Sequence, residues 1–149
     1  MSWSAISSVD VLSEMNSSEA DVIKNVQNST TNLDTIVQRV VNATRASIRV
    51  GGGQIDQEGT IPDQLRGEVI AIARWRWLLS LPGVEQLQSK ARKEAYEDAI
   101  KRIDLAAEGK LKIELPVTPS NQAGPSLAVS MVRQGRRIHT GSFDKLGST

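Results

Sequence analysis

The apolar residues between positions 61 and 81 follow helical spacing on two faces rather than one. The first face of a predicted helix over residues 62–80 carries Leu65, Val69, Ile72, Trp75 and Leu79, and the second carries Ile70, Ala73, Trp77 and Leu81. An isolated small domain cannot hide both faces of one helix. We therefore expect the second face to meet another helix of the same chain or a neighbouring subunit. The prediction is a subunit interface at Ile70, Trp75, Trp77 and Leu81.

Proline and glycine residues bound this helix and the next one. Pro62 suits a first helical turn, where its missing N–H would have no partner. The pair Pro82-Gly83 predicts a break, and Gly109 predicts a left-handed stop. Between them, one helical face is traced by Val84, Leu87, Ala91, Ala95, Ala99, Ile103 and Ala106, flanked by Tyr96 and Ile100. The pattern predicts two consecutive helices.

The first fifty residues also carry a helical pattern. Residues 8–15 predict a short helix and residues 18–50 a longer helical region, in which a break near residues 28–31 stays open. Ser18 followed by Asp21 indicates a helix cap. Helical spacing then links Leu33, Ile36, Val37, Val40, Val41, Thr44 and Ile48. The triplet Gly51-Gly52-Gly53 ends the region and opens a loop to residue 60.

The pattern changes after Leu115. Prolines and a glycine, at positions 116, 119, 124 and 125, predict an extended linker that cannot continue a helix. Alternating residues then predict a β-hairpin, whose partner-binding side chains would be Leu127, Val129, Met131, Arg133, Arg136, Arg137, Ile138 and Phe143. A lone hairpin is marginally stable in water, so it needs a partner sheet. We predict a helical body over residues 1–115 and an interaction arm over residues 116–149.

Length and composition fit one mainly α-helical domain, a bundle of about four helices with that arm. The chain has 149 residues, and its 18 basic and 17 acidic residues give a net charge of +1. Such a balance provides no general attraction to nucleic acid or to an anionic membrane. We expect a soluble, non-secreted protein, because no signal-like start or membrane-length apolar run is visible.

Few residues offer catalytic or metal chemistry. Cysteine is absent, which excludes disulfides and thiolate chemistry. The glycine triplet lacks the Gly-Lys-Ser/Thr that a phosphate-binding loop requires, so a helix stop is the better interpretation. His139 stands on the predicted hairpin without neighbouring acids that could form a metal site or activate a nucleophile. We expect no catalytic site, no cofactor and no metal.

Two arginine-rich stretches leave nucleic-acid contact open. Arg74-Trp75-Arg76-Trp77 combines residue types that bind phosphates and stack on bases. Helix positions two apart differ by about 200°, however, so the tryptophans cannot form one stacking platform, and burial is the better account. On the arm, Arg133, Arg136 and Arg137 suit an acidic partner or nucleic acid as well as they suit simple solubility.

The chain resembles the small head–tail connector proteins of tailed bacteriophages, also called adaptor or head-completion proteins. The resemblance covers about the first three-quarters of the chain and includes the short helix of residues 8–12 followed by a long one. It further depends on Ile61-Pro62 before Leu65, Val69, Ile72 and Ala73, and on Tyr96-x-x-Ala99-Ile100-x-x-Ile103-x-x-Ala106-x-x-Gly109-Lys110. One departure is the stretch at residues 46–50, Ala-Ser-Ile-Arg-Val, where such proteins commonly carry aromatic residues.

The resemblance implies a structural virion protein without enzymatic activity. It would form a ring of twelve subunits under the portal protein, extend the DNA exit channel used in genome ejection, and present its lower face to a stopper or tail-completion protein. DNA would pass without sequence-specific binding. The protein would assemble in the host cytoplasm, act in the neck of the virion and bind no membrane. The alternative is a helical DNA-binding protein, such as a DNA-packaging recognition subunit, whose arginines meet phosphates.

Overall fold

The predicted mainly α-helical fold is confirmed. A computed structural model describes residues 2–26 and 29–116. In this part of the chain, strand β1 (Trp3–Ala5) precedes helices α1 (Ser8–Ser13), α2 (Ser17–Lys24) and α3 (Ser29–Val50). Strand β2 (Thr60–Pro62) and a 3-10 helix (Asp63–Leu65) lead into α4 (Arg66–Ser80). A second 3-10 helix (Glu85–Leu87) precedes α5 (Lys90–Ala107).

The core lies between α3, α4 and α5, which pack against one another, with α1 against α3 and α4. The apolar face predicted for α3 is confirmed, since every member of its set is buried: Leu33, Ile36, Val37, Val40, Val41, Thr44 and Ile48. Most of the large side chains of the core are aliphatic. This follows from an aromatic content of only 3%.

Helix α4 is the central element of the bundle. Its buried residues are Val69, Ile70, Ile72, Ala73, Trp77 and Leu78, which together occupy most of the helix circumference. Because α3 and α5 both pack against it, the second apolar face is covered within the chain. The expectation that a second face must be covered is met by helices of the same chain, one of the two options that the pattern left open.

The N-terminal caps differ from the prediction at α2. Helix α2 begins after Asn16, whose side chain accepts a hydrogen bond from the Glu19 N–H at 3.0 Å. Glu19 Oε2 in turn accepts from the Asn16 N–H at 3.2 Å. This reciprocal capping box satisfies two N–H groups that a helix start leaves free, so the helix begins before the predicted cap at Ser18. Helix α1 ends at Ser13, two residues earlier than predicted.

A short antiparallel ribbon was missed by the sequence analysis. Trp3 pairs with Pro62, Ser4 with Ile61 and Ala5 with Thr60. Pro62 therefore ends a strand, instead of standing in the first turn of an α-helix as predicted. Three-residue strands are too short to show alternation, which explains the miss. The ribbon places the N-terminus beside the start of α4.

Helix α5 begins later than its apolar pattern suggested. Val84 and Leu87 are buried, but they belong to the turn and the 3-10 helix ahead of α5. The Ser89 side chain caps α5 by accepting from the Arg92 N–H at 3.3 Å. Ala91 and Ala95 are exposed, contrary to the predicted face. Small alanines carry little burial energy, so the larger Ile103 and the paired Arg92 decide which side faces inward.

Candidate functional site

Three of the four predicted interface residues are buried within the chain itself. Trp77 is 0% exposed, Leu81 6% and Ile70 8%. A side chain without exposed surface has no area to give to a neighbouring subunit. The prediction of a subunit contact at Ile70, Trp77 and Leu81 is therefore revised, because α3 and α5 already cover these faces.

Trp75 is the predicted interface residue that keeps an exposed edge. Its ring lies 6.3 Å from the ring of Tyr96 on α5, tilted by 31°, and both side chains are half-buried. Leu79, one turn along the same face of α4, is 55% exposed. An apolar ridge thus runs along α4 at Trp75 and Leu79, beside Tyr96. Trp75 is the predicted interface residue on this ridge that is still open to a partner.

The C-terminal ends of α3 and α5 meet at one corner of the bundle. Each helix ends in a Schellman motif, with the left-handed residue at Gly52 (φ 84°) in α3 and at Gly109 (φ 70°) in α5. A Cβ atom built on Gly51 would lie 1.9 Å from the carbonyl oxygen of Ala106. No residue with a side chain fits there. The predicted helix stops are confirmed, and Gly51 has the further role of allowing the two helix ends to touch.

A groove of about 270 Å³ opens at this corner. Its floor consists of the ends of α3 and α5 with the glycine triplet, and its wall is a short segment after α5. The lining residues are Ile48, Gly51, Gly52, Gly53, Gln54, Ala106, Leu111, Ile113 and Leu115. The side chains that line the groove are mostly apolar, while the lining surface as a whole is nearly half polar, so the groove suits a peptide segment that offers both apolar side chains and backbone hydrogen-bonding groups.

The wall of the groove, residues 111–115, is here called the strap. Trp3 Nε1 donates to the Glu114 carbonyl at 3.1 Å, and Gln64 Nε2 donates to the Lys112 carbonyl at 3.0 Å. The strap is thus attached to the body through alternate residues, while the intervening residues line the groove. This period of two is that of an extended chain. Leu115 is 70% exposed at the mouth of the groove.

Arg45 fixes the loop that forms the other side of this corner. Although charged, it is 9% exposed, and its guanidinium donates to the carbonyls of Asp56 and Gln57, both at 2.8 Å, and of Thr60. Burial first, and then the nearby Arg49, lower the pKa of Arg45. Arg45 was not among the residues predicted from the sequence. The available signal was an arginine between Val41 and Ile48 on an otherwise apolar helical face.

Acidic and basic side chains connect the outer elements. Arg66 pairs with Asp10, Arg92 with Glu19, and Arg102 with Glu68 at 3.0 Å, so each pair joins two helices. The Ser7 backbone N–H, helped by the Ser7 hydroxyl and Arg66, lowers the pKa of Asp10 against the effect of burial. In these contacts the arginines stabilise the fold and do not bind a ligand.

A second carboxylate holds the N-terminal strand. Asp63 accepts from the hydroxyls of Ser4 and Ser2, each at 2.7 Å. These hydrogen bonds, that of Ser4 first, lower the pKa of Asp63. Trp3, which lies between the two serines, donates to the strap. Asp63 therefore helps to position the residue that fixes the strap.

The candidate nucleic-acid stretch on α4 does not form a binding face. Trp77 is buried, whereas Arg76 is exposed and Arg74 is half-buried. Burial first, and then Arg92, lower the pKa of Arg74. The stretch thus points its four side chains into different environments, as expected from its helical spacing.

Several predicted residues lie outside the described part of the chain. They are His139 and the arm residues Leu127, Val129, Met131, Arg133, Arg136, Arg137, Ile138 and Phe143. Within residues 2–26 and 29–116, no three His, Cys, Asp or Glu side chains are grouped to hold a metal ion. No helix in the same part is both long and apolar enough to cross a membrane.

Comparisons with protein families, with curated proteins and with solved structures find no match to this chain.

Proposed function

We propose that the chain is a structural subunit of the neck of a tailed bacteriophage, a head–tail connector that forms a ring between the portal protein and the stopper or tail-completion protein. The observation that carries the proposal is the order and packing of the helices. A short helix, the 22-residue α3, the central α4 after Pro62 and α5 with its stop at Gly109 follow one another as the resemblance implies.

The role is mechanical. The core closed around α4 makes a rigid block, and a block that holds its shape alone can transmit force along a ring. Surface contacts then come from groups that the core does not use, such as the ridge of Trp75 and Leu79 and the exposed Leu115. The arm of residues 116–149 supplies the reach to a neighbouring subunit or to the portal. DNA passes through the ring without sequence-specific contact.

The helical body gives less support to the alternative, a DNA-binding protein. Arg45, Arg66, Arg92 and Arg102 are engaged with carbonyl or carboxylate groups of the chain itself. A phosphate would have to displace those partners. The tryptophans that could have stacked on bases do not share a surface, because Trp77 is 0% exposed.

Electron microscopy of the purified full-length chain tests the proposal. We expect rings with a central channel, alone or after addition of a portal protein. A strictly monomeric particle under both conditions would contradict it. A parallel titration with duplex DNA at several salt concentrations tests the alternative, since binding through several phosphates weakens steeply as salt rises. Tight, strongly salt-dependent binding together with absence of rings would replace the connector proposal.

A further inference from the structure

The strap has one edge bound to the body and one edge unpaired. The carbonyls of Lys112 and Glu114 accept from the body. Within the described residues, the backbone groups of Ile113 and Leu115 have no hydrogen-bond partner. Successive residues of an extended chain direct their backbone groups to opposite edges, so the unpaired groups share one edge. An unpaired extended edge is a template for another strand.

The chain itself contains a segment with the matching period. Leu111, Ile113 and Leu115 line the groove at every second position, and the arm carries Leu127, Val129 and Met131 with the same spacing. A strand placed beside the strap puts its alternate side chains on the same face as those of the strap. We propose that residues 127–131 of a neighbouring copy add as a strand to the free edge of the strap and fill the groove with these apolar side chains.

The length of the linker favours docking of the arm in the groove of a neighbouring copy over docking in the chain's own groove. Residues 116–126 span at most about 40 Å when extended. A folded body of about 115 residues has a radius of gyration of about 13 Å and so a diameter of about 35 Å. Equivalent grooves on adjacent subunits are about one diameter apart. Return to the chain's own groove would require the linker to reverse its direction, whereas its prolines at positions 116, 119 and 125 favour extended chain.

The charges of the groove and of the arm also favour a neighbouring copy's arm as the segment that fills the groove. The floor of the groove is made by the C-terminal ends of two helices, α3 and α5, and a helix C-terminus carries a partial negative charge. Directly after the apolar stretch the arm carries Arg133, Arg136 and Arg137. A positively charged flank beside an apolar strand is complementary to a groove that has apolar side chains and a floor formed by two helix C-termini.

The inference depends on the proposed function, because only an assembly of identical subunits brings a neighbour's arm to each groove. Such a contact is head-to-tail, and it closes when the subunits form a ring. Each body would then bind the arm of one neighbour, and its own arm would bind the body of the next subunit.

Engineered cysteines test the contact, since the chain has no cysteine of its own. Full-length Leu115→Cys chains are mixed with chains carrying Leu127→Cys, Val129→Cys or Met131→Cys, and the mixtures are oxidised with oxidised glutathione. A disulfide requires Cα atoms about 4.4–6.8 Å apart. We expect at least one mixture to give a two-chain product more than ten-fold above its control. The control replaces Leu115→Cys by Val9→Cys, which is equally exposed at 70% but lies on α1.

A chain carrying Leu115→Cys together with the best arm cysteine distinguishes the other occupants. Docking between copies gives a ladder of covalent oligomers. A single-chain product with an internal disulfide would show the chain's own arm in the groove and overturn the proposal. Rings in the microscope without any cross-link would overturn this contact while leaving the connector function intact. Absence of both rings and cross-links would overturn both.

Discussion

The centre of α4 and the groove beside the strap both carry apolar side chains, but only the centre is closed to solvent by the packing of the chain itself. At the centre, Trp77 is 0% exposed between packed helices, whereas Leu115 at the mouth of the groove is 70% exposed. Helical spacing identified a second apolar face on α4, but it could not show whether the chain itself covers that face. Burial within the chain is decided by tertiary packing, so the open groove is the better candidate for assembly.

The largest expected effect is that of Trp77→Ala. Removal of a fully buried indole leaves a cavity in the core, and we expect a loss of about 3–5 kcal/mol of unfolding free energy. Trp75→Ala is the matched comparison on the same helix and should cost about 1 kcal/mol, because its ring is only half-buried. Urea denaturation followed by circular dichroism measures both. Equal losses of unfolding free energy in the two variants would mean that Trp75 and Trp77 contribute equally to the core.

Gly51→Ala tests the corner that forms the floor of the groove. The new Cβ would lie 1.9 Å from the Ala106 carbonyl oxygen, so the ends of α3 and α5 must separate. We expect a destabilisation of about 1–3 kcal/mol, the usual cost of overpacking. Gly67→Ala is the control, since its Cβ meets nothing within 4 Å in α4, and it should be neutral or slightly stabilising. Thermal unfolding of the two variants makes the comparison. A neutral Gly51→Ala would show that the helix ends do not touch.

Arg45→Met tests the loop on the other side of that corner. The substitution keeps an apolar stem but removes the guanidinium donor from the carbonyls of Asp56, Gln57 and Thr60. Of these, the Gln57 carbonyl still accepts from the N–H and the hydroxyl of Thr60. We expect a cost of about 1–3 kcal/mol and faster amide hydrogen exchange over residues 56–60. Arg49→Met, one turn along α3 and exposed, should change stability by less than about 0.5 kcal/mol. Unchanged exchange over residues 56–60 would exclude the proposed fixing of the loop.

The smallest expected effect concerns Asp63 and the attachment of the strap. The folded-state pKa of Asp63 is lowered from the ordinary 3.8, so the unfolded chain binds its proton first as pH falls. The stabilisation is therefore present above about pH 4 and is lost as the pH falls through the lowered pKa. Ser4→Ala removes the hydrogen bond that lowers the pKa of Asp63 most, so this pKa should move back towards 3.8. Carboxyl NMR titration of the parent and the variant gives the answer, and identical curves would exclude this hydrogen bond as the cause.

Much of the helical fold could be predicted from the sequence. The face of α3 and the stops at Gly52 and Gly109 were predictable because helical period and left-handed glycine are local properties. The ribbon of β1 and β2 was not, since residues 3–5 and 60–62 are far apart along the chain and too short to show a period. Arg45 was missed for a similar reason, because its carbonyl partners come from a loop without a pattern.

The candidate site was only partly predictable. The sequence identified α4 and Trp75 as apolar surface but could not show that Ile70, Trp77 and Leu81 are covered within the chain. The groove was not predicted, because it arises where two helix ends and the strap come together in space. The arm residues lie outside the described part, so their role stays a prediction.

We expect residues 1–115 to fold without help and assembly to depend on the arm. Sedimentation velocity of the full-length chain beside a chain truncated after Leu115, with circular dichroism of both, tests it most directly. We predict that the full-length chain sediments as a ring, whereas the truncated chain keeps its helical spectrum and sediments as a monomer. A truncated chain that still forms the same ring, or one that loses its helical spectrum, would contradict the account.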